Sequence, residues 1–85
     1  QRIDENTVNI DARLEIVEFN RETGLHLPED EDFETVGGFV TTTLSRIPQI
    51  NETFEAGGAK FTVLEAEPKR VVRLRVEMKD NENET

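Results

Sequence analysis

Cysteine is absent from this chain, which excludes a disulfide framework, Cys-ligated zinc and thiol catalysis. The same absence fits a reducing cytosolic compartment. Bases are scarce: ten Lys and Arg stand against nineteen Asp and Glu, a net charge of −9. That balance argues against nucleic acid and anionic lipid as partners, since both need concentrated positive charge. No apolar run approaches the roughly 20 residues of a membrane span, so this fragment is not expected to insert directly into a membrane. Nothing has the layout of a signal peptide. Apolar residues make up 34% of the chain, and much of the deficit sits in two charged ends. A length of 85 residues leaves room for one core. The chain opens on Gln1 rather than Met and is read as a piece of a longer protein.

What is present is patterned. Val8, Ile10, Ala12 and Leu14 alternate with Asn9, Asp11 and Arg13, which predicts a strand with one buried face. Ile16, Phe19, Asn20 and Thr23 then fall on one side of a short helix over residues 15–23, with Gly24 placed to end it. Leu25 and Leu27 lead into Pro28, which opens a loop. After the acidic run 29–32, Thr35 is placed as the N-cap of a second helix. Val36, Val40, Leu44 and Ile47 recur at helical spacing. Gly37, Gly38, Thr41, Thr42 and Thr43 are weak helix formers, so propensity alone leaves a strand open for this segment. Pro48 ends it in either case.

The clearest pattern comes last. Following the Gly57, Gly58 turn, Ala59, Phe61 and Val63 alternate with Lys60, Thr62 and Leu64. Beyond Glu67, Pro68, Lys69 and Arg70, the set Val72, Leu74, Val76 and Met78 alternates with Val71, Arg73, Arg75 and Glu77. Two such runs joined by a short loop are a β-hairpin. With Ala66 facing Val71, the register pairs Val63 with Leu74 and Phe61 with Val76 inside, and sets Lys60 opposite Glu77 outside.

Taken in order, these residues resemble a known family. Asp11, Ala12, Arg13 and Leu14 precede the first helix; Thr35, Val36, Gly37 and Gly38 open the second; Leu44, Ser45, Arg46, Ile47 and Pro48 close it. Glu52, Thr53 and Phe54, the Gly57, Gly58 turn, the run from Phe61 to Glu65, and Arg70 leading into the run from Val72 to Val76 follow. The set is similar to the CorC/HlyC transporter-associated domain from about Val8 to Val76. Ala12 and Asn51 stand where that family usually has Gly. Asn tolerates the left-handed region that a turn glycine often occupies.

The resemblance implies an α+β fold: a small, mostly antiparallel sheet with two helices packed on it, ending in the hairpin and similar to a subdomain of the FAD-binding (PCMH-like) fold. It makes residues 36–47 a helix. A domain is expected over residues 7–78, with the polar residues 1–6 as linker and 79–85, which hold no apolar anchor, as a disordered tail. Such domains sit C-terminal to a pair of CBS domains, often with a membrane domain upstream, in cytoplasmic parts of proteins linked to magnesium and cobalt efflux. The implied role is non-catalytic and accessory, needs no cofactor, and acts by docking on the CBS or membrane domains or on a second copy as a homodimer.

A search for chemistry returns mostly bland alternatives. His26 lies alone between two leucines, a usual boundary position. Ser45 has no base nearby in sequence. Glu65 shares the inward parity of the hairpin, yet near a strand end it is expected to be solvated or paired with Lys69 or Arg70. Counted from Asp30, the acidic run fails the EF-hand pattern, because Thr35 stands at the sixth place. It reads as a solvated loop before a helix start, where negative charge is favourable, and no metal set is expected. Thr35, Gly37 and Gly38 offer a helix start that an adenine nucleotide or similar anion could approach; the plainer role for the glycines is close helix packing. Lys60, Arg73 and Arg75, with Leu64 and Val71 exposed on the same face, form a candidate interaction surface, against the alternative that the bases pair with neighbouring glutamates.

Overall fold

A computed structural model describes residues 2–30 and 32–78 of the chain. Seven elements follow one another: β1 (Arg2–Asp4), β2 (Thr7–Asp11), α1 (Ile16–Thr23), α2 (Val36–Leu44), β3 (Thr53–Ala56), β4 (Ala59–Glu67) and β5 (Arg70–Met78). The strands form one antiparallel sheet in the order β1-β2-β5-β4-β3. The fold is α+β, with both helices on one face of the sheet.

The β4–β5 hairpin is the spine. Ala66 faces Val71, Val63 faces Leu74, Phe61 faces Val76 and Lys60 faces Glu77, the register that alternation specifies. β5 also pairs with β2, placing Ile10 beside Leu74 and Val8 beside Val76. Opposite ends of the sequence are thereby joined at the centre of the sheet. On its other side β4 pairs with β3 through a turn at Gly57 (φ 60°) and Gly58 (φ 84°). Two consecutive positive φ angles are the tight hairpin turn whose twist matches the strands, and glycine adopts them without strain.

The inner face carries the core. Ile10, Ala59, Phe61, Val63, Leu74 and Val76 meet Ile16 and Phe19 from α1 and Val36, Phe39 and Val40 from α2. Each fully buried side chain of this size contributes roughly 1.5–3 kcal/mol. Phe61 is the hub, fully buried, with Phe19, Phe39 and Phe54 rings at centroid distances of 6.2, 6.5 and 5.2 Å. Phe33 meets Phe39 edge-on at 5.6 Å.

Both helices begin and end as the local chemistry dictates. Gly24 (φ 78°) ends α1, and its N–H reaches the Asn20 carbonyl. Asn20 anchors the following segment, donating through Nδ2 to the Leu27 carbonyl at 2.9 Å and accepting from the Leu27 N–H at 3.0 Å. In α2 the Thr35 hydroxyl oxygen accepts from the Gly38 N–H at 3.0 Å, a side-chain N-cap. A bridge between Glu15 and Thr35 joins the two helix starts: the Ile16 N–H donates to the Glu34 carbonyl and the Val36 N–H to the Leu14 carbonyl, each at 2.9 Å. Each start thus supplies an acceptor to an otherwise orphaned donor of the other.

Four boundaries depart from the sequence reading. Residues 2–4, expected within a linker, form β1 and pair with β2. The first strand stops at Asp11 rather than running through Leu14, because the Asp11 carboxylate accepts from the Arg13 N–H at 2.8 Å and bends the chain into an Asx turn. α2 ends at Leu44, with Ser45 left-handed at φ 61°, before Pro48 can act. The β4–β5 ladder is irregular between Val63 and Ala66. Glu65 faces Arg73, so Leu64 and Val72 each stand as an extra residue and both strands reverse facing there. Val71, expected exposed, is therefore buried at 4%, whereas Glu65 points outward. The proposed tail at 79–85 lies outside the described residues. Asn51 holds φ 74°, the conformation its side chain tolerates, and Ala12 needs no positive φ.

Candidate functional site

The residues singled out from sequence fall in two places. Lys60, Arg73 and Arg75 lie on the outer sheet face, away from the helices, and the register arranges them in rows. One row reads Asp11, Arg73, Glu65; another reads Thr7, Glu77, Lys60, Glu55; the third reads Asn9, Arg75, Thr62, Thr53. Arg73 approaches Glu65 at 3.6 Å. Lys60 and Arg73 each have acids on both sides across the ladder, so the face is a checkerboard rather than a basic stripe. Arg75 is the exception. Its row holds no acid, and Nε donates to Asn9 Oδ1 at 3.1 Å. Leu64 is half-buried and Val71 belongs to the core, so Val71 leaves the surface set.

The second place is the start of α2. Thr35, Gly37 and Gly38 are adjacent, but the backbone donors there are in use. The Val36 N–H meets Leu14 O, the Gly37 N–H meets Ala12 O at 2.8 Å, the Gly38 N–H meets Thr35 Oγ1, and the Phe39 N–H meets Thr35 O at 2.9 Å. An anion approaching this helix finds no vacant N–H among these four. Gly37 packs against the β2–α1 turn so closely that a methyl group on it would stand 3.0 Å from Ala12 Cβ. The close-packing role is the one this geometry carries. Beside it, Arg13, Lys69 and Arg70 line a small cavity over the first turns of α2.

Two exposed ion pairs perturb local acidity. The Arg13 guanidinium donates from Nε and Nη2 to the Asp11 carboxylate at 3.2 and 3.1 Å, which holds Asp11 below the usual carboxylate range and raises Arg13. Arg46 grips Glu52 through both terminal nitrogens, one contact at 2.9 Å, while the Gln49 N–H donates to Glu52 at 3.0 Å. The guanidinium contact first, and the backbone donor second, lower Glu52 to about 2. This clamp pins the α2–β3 connection. Sequence reasoning missed it, although Arg46 and Glu52 bracket Pro48 and the turn residue Asn51.

The acidic run borders a cleft of about 440 Å³ whose walls include Glu15, Glu29, Asp30 and Glu34 with Val17 and Phe33. Among the described residues no group of three or more His, Asp or Glu is arranged to hold a metal ion. His26 is exposed between half-buried Leu25 and buried Leu27, and Ser45 occupies the C-cap of α2. Among the described residues no helix is long and apolar enough to cross a membrane.

The fold and sequence have known relatives. Residues 1–80 match the family model for the transporter associated domain, CorC_HlyC. Hemolysin C of Brachyspira hyodysenteriae is 36% identical over 80 residues, covering 94% of this chain and 30% of that protein. The magnesium and cobalt efflux protein CorC of Escherichia coli K12 is 28% identical over 81 residues, covering 95% of this chain and 27% of its own length. The chain therefore spans less than a third of these curated relatives. The CorC-associated region of Neisseria meningitidis MC58 superposes with a TM-score of 0.86 at 28% identity, covering 93% of this chain and 96% of that one. The chain belongs to the CorC/HlyC transporter-associated domain family.

Proposed function

We propose that this chain is a non-catalytic accessory module of a CorC- or hemolysin C-like transport protein and that it docks through the open face of its sheet onto an adjoining domain. The carrying observation is one-sidedness. Both helices cover the inner face, while the outer face presents Asp11, Lys60, Thr62, Arg73, Arg75 and Glu77 in ordered rows. A rigid sheet with alternating charge suits a mate with the opposite pattern, because complementary charge fixes register and rejects other partners more than it adds affinity. The relatives' much greater length supplies candidates in the same protein, and the CBS pair or a membrane domain on the cytoplasmic side fits the family resemblance. Docking of this kind regulates transport only if the contact differs between transport states. The magnesium and cobalt efflux named for CorC would then be the activity being biased.

The test is K60Q/R73Q/R75Q in the full-length parent protein, beside the same substitutions in the 85-residue chain. Lys60 and Arg73 are exposed, where substitutions move stability by about 0.5 kcal/mol or less each, and at half-buried Arg75 glutamine keeps an N–H donor for Asn9, so the chain should stay folded. Efflux in the full-length protein should change in its regulation or extent. Unaltered efflux, with unaltered cross-linking between this domain and its neighbours, would sink the proposal. A concentration-dependent dimer of the chain, abolished by the same three changes, would instead assign the face to a second copy.

A further inference from the structure

The cavity over α2 has a different character from the rest of the molecule. It measures about 200 Å³ and is lined by Arg13 from the β2–α1 turn, by Lys69 and Arg70 from the β4–β5 hairpin tip, and by the N-cap Thr35 with Gly38 and Thr41 of α2. The chain carries nineteen acids and ten bases, yet this lining holds three bases and no acid. The cleft beside α1 is its opposite, with four carboxylates and no base. Two loops far apart in sequence bring the bases together only because β2 and β5 are neighbours in the sheet.

We propose that this cavity binds a phosphate group, held by side chains rather than by the helix backbone. The four N–H donors that begin α2 already have acceptors, and the Thr41 hydroxyl donates to the Gly38 carbonyl at 3.2 Å, so the recognition chemistry left is that of two guanidiniums, one ammonium and the Thr35 hydroxyl. Arg13 uses Nε and Nη2 on Asp11, and Arg70 uses Nε on Glu67 at 2.9 Å. A guanidinium has five N–H donors, so both retain capacity for an oxyanion. Both existing pairs are exposed and exposed pairs hold weakly, so they yield readily to a doubly charged ligand. Guanidinium forks match tetrahedral phosphate oxygens, and Lys69 adds a point charge from the same side as Arg70. The volume suits a phosphate rather than a whole nucleotide, so any nucleoside would lie outside the cavity.

The proposal extends beyond docking and is independent of it, because these residues lie off the outer-face rows tested above. Amide chemical shifts of the 85-residue chain are followed by NMR during titration with inorganic phosphate, AMP and ATP at fixed ionic strength. Saturable shifts are expected at Arg13, Gly38, Thr41, Lys69 and Arg70. Equal affinity for all three ligands would identify free phosphate as the source, and tighter binding of AMP or ATP a nucleotide. K69Q/R70Q, two changes in an exposed turn, should weaken binding about tenfold or more, as expected for losing charge-assisted contacts, whereas R21Q on α1 should leave it unchanged. Shifts that rise linearly without saturation, that spread equally to Arg21 and Arg46, or that persist in K69Q/R70Q would overturn the proposal.

Discussion

Gly37→Ala tests how tightly α2 is seated on the β2–α1 turn, and its sign is not obvious. In a helix, alanine is favoured over glycine by about 0.5–1 kcal/mol because it loses less conformational freedom on folding. Against this, the new methyl would stand 3.0 Å from both Ala12 Cβ and the Ala12 carbonyl oxygen. Carbon atoms in contact prefer about 3.5–4.0 Å, so the turn would have to retreat by a few tenths of an ångström. It is poorly placed to do so. The Ala12 carbonyl accepts from Gly37 at 2.8 Å, and the Ala12 N–H donates to the Val72 carbonyl at 2.9 Å, fastening the turn to β5. Overpacking of this kind costs about 1–3 kcal/mol, and a weakened hydrogen bond adds about 0.5–1.5 kcal/mol.

The repulsive terms win, leaving a net loss of about 1–3 kcal/mol. In a domain of this size each kcal/mol lowers Tm by roughly 4–8 °C. Thermal and urea unfolding of the chain read this directly. Gly38→Ala is the control, since its methyl would meet Phe33 Cβ and Thr35 Oγ1 at 3.2 Å, a milder approach than at Gly37, with the nearest backbone atom at 3.9 Å. It should cost less. Ala12→Gly in the Gly37→Ala background should recover part of the loss by removing the carbon contact while leaving the oxygen in place. A Gly37→Ala chain as stable as the parent, or more so, would refute the reasoning and show that helix propensity governs this position.

Phe61→Ala removes the ring against which Phe19, Phe39 and Phe54 pack. The expected loss is about 3–5 kcal/mol, measured as a shift in the urea midpoint, and a loss below about 1 kcal/mol would mean the core collapses around the cavity. The Glu52 clamp predicts a pH dependence. Its folded pKa, about 2, lies below the ordinary value of 4.5, so its contribution is fully present above about pH 4.5 and is lost as pH falls towards 2. The difference in Tm between the parent and Glu52→Gln should therefore be largest near neutrality and shrink across that window. A difference that stays constant down to pH 2 would show that the clamp stabilises by packing alone.

Legibility from the sequence varied from one element to the next, for physical reasons. The β4–β5 register followed from alternation because a one-residue slip would place Phe61, Val63, Leu74 and Val76 in water. The facing of Val71 did not follow. Leu64 and Val72 each add a residue, one per strand, so the pairs on both sides of the irregularity keep the same register while the faces between them reverse. Any pattern that reads only alternation is blind to such a compensated bulge. The Thr35 cap and the Gly24 stop were readable because each depends on a residue's own backbone chemistry. The Asp11 turn has the same kind of cause, but its residue also fits the alternation of a strand, and the longer pattern masked the local one.

The candidate sites divide along the same line. The outer face was visible as a set of bases, because period-two spacing puts Arg73 and Arg75 together. Its neutralising acids were only partly visible, because Asp11 reaches Arg73 through the β2–β5 pairing, a contact between the two ends of the chain. Non-local pairing also creates the basic cavity. Arg13 and Arg70 carry no mutual signal in sequence; they meet because β2 and β5 run side by side and their adjoining turns close over α2. The glycines at the start of α2 drew attention as an anion cradle, yet the structure uses their N–H groups for helix seating. Side-chain recognition is what remains available there, and it makes a sharper prediction than a cradle. A backbone site would survive K69Q/R70Q, whereas a side-chain site would not.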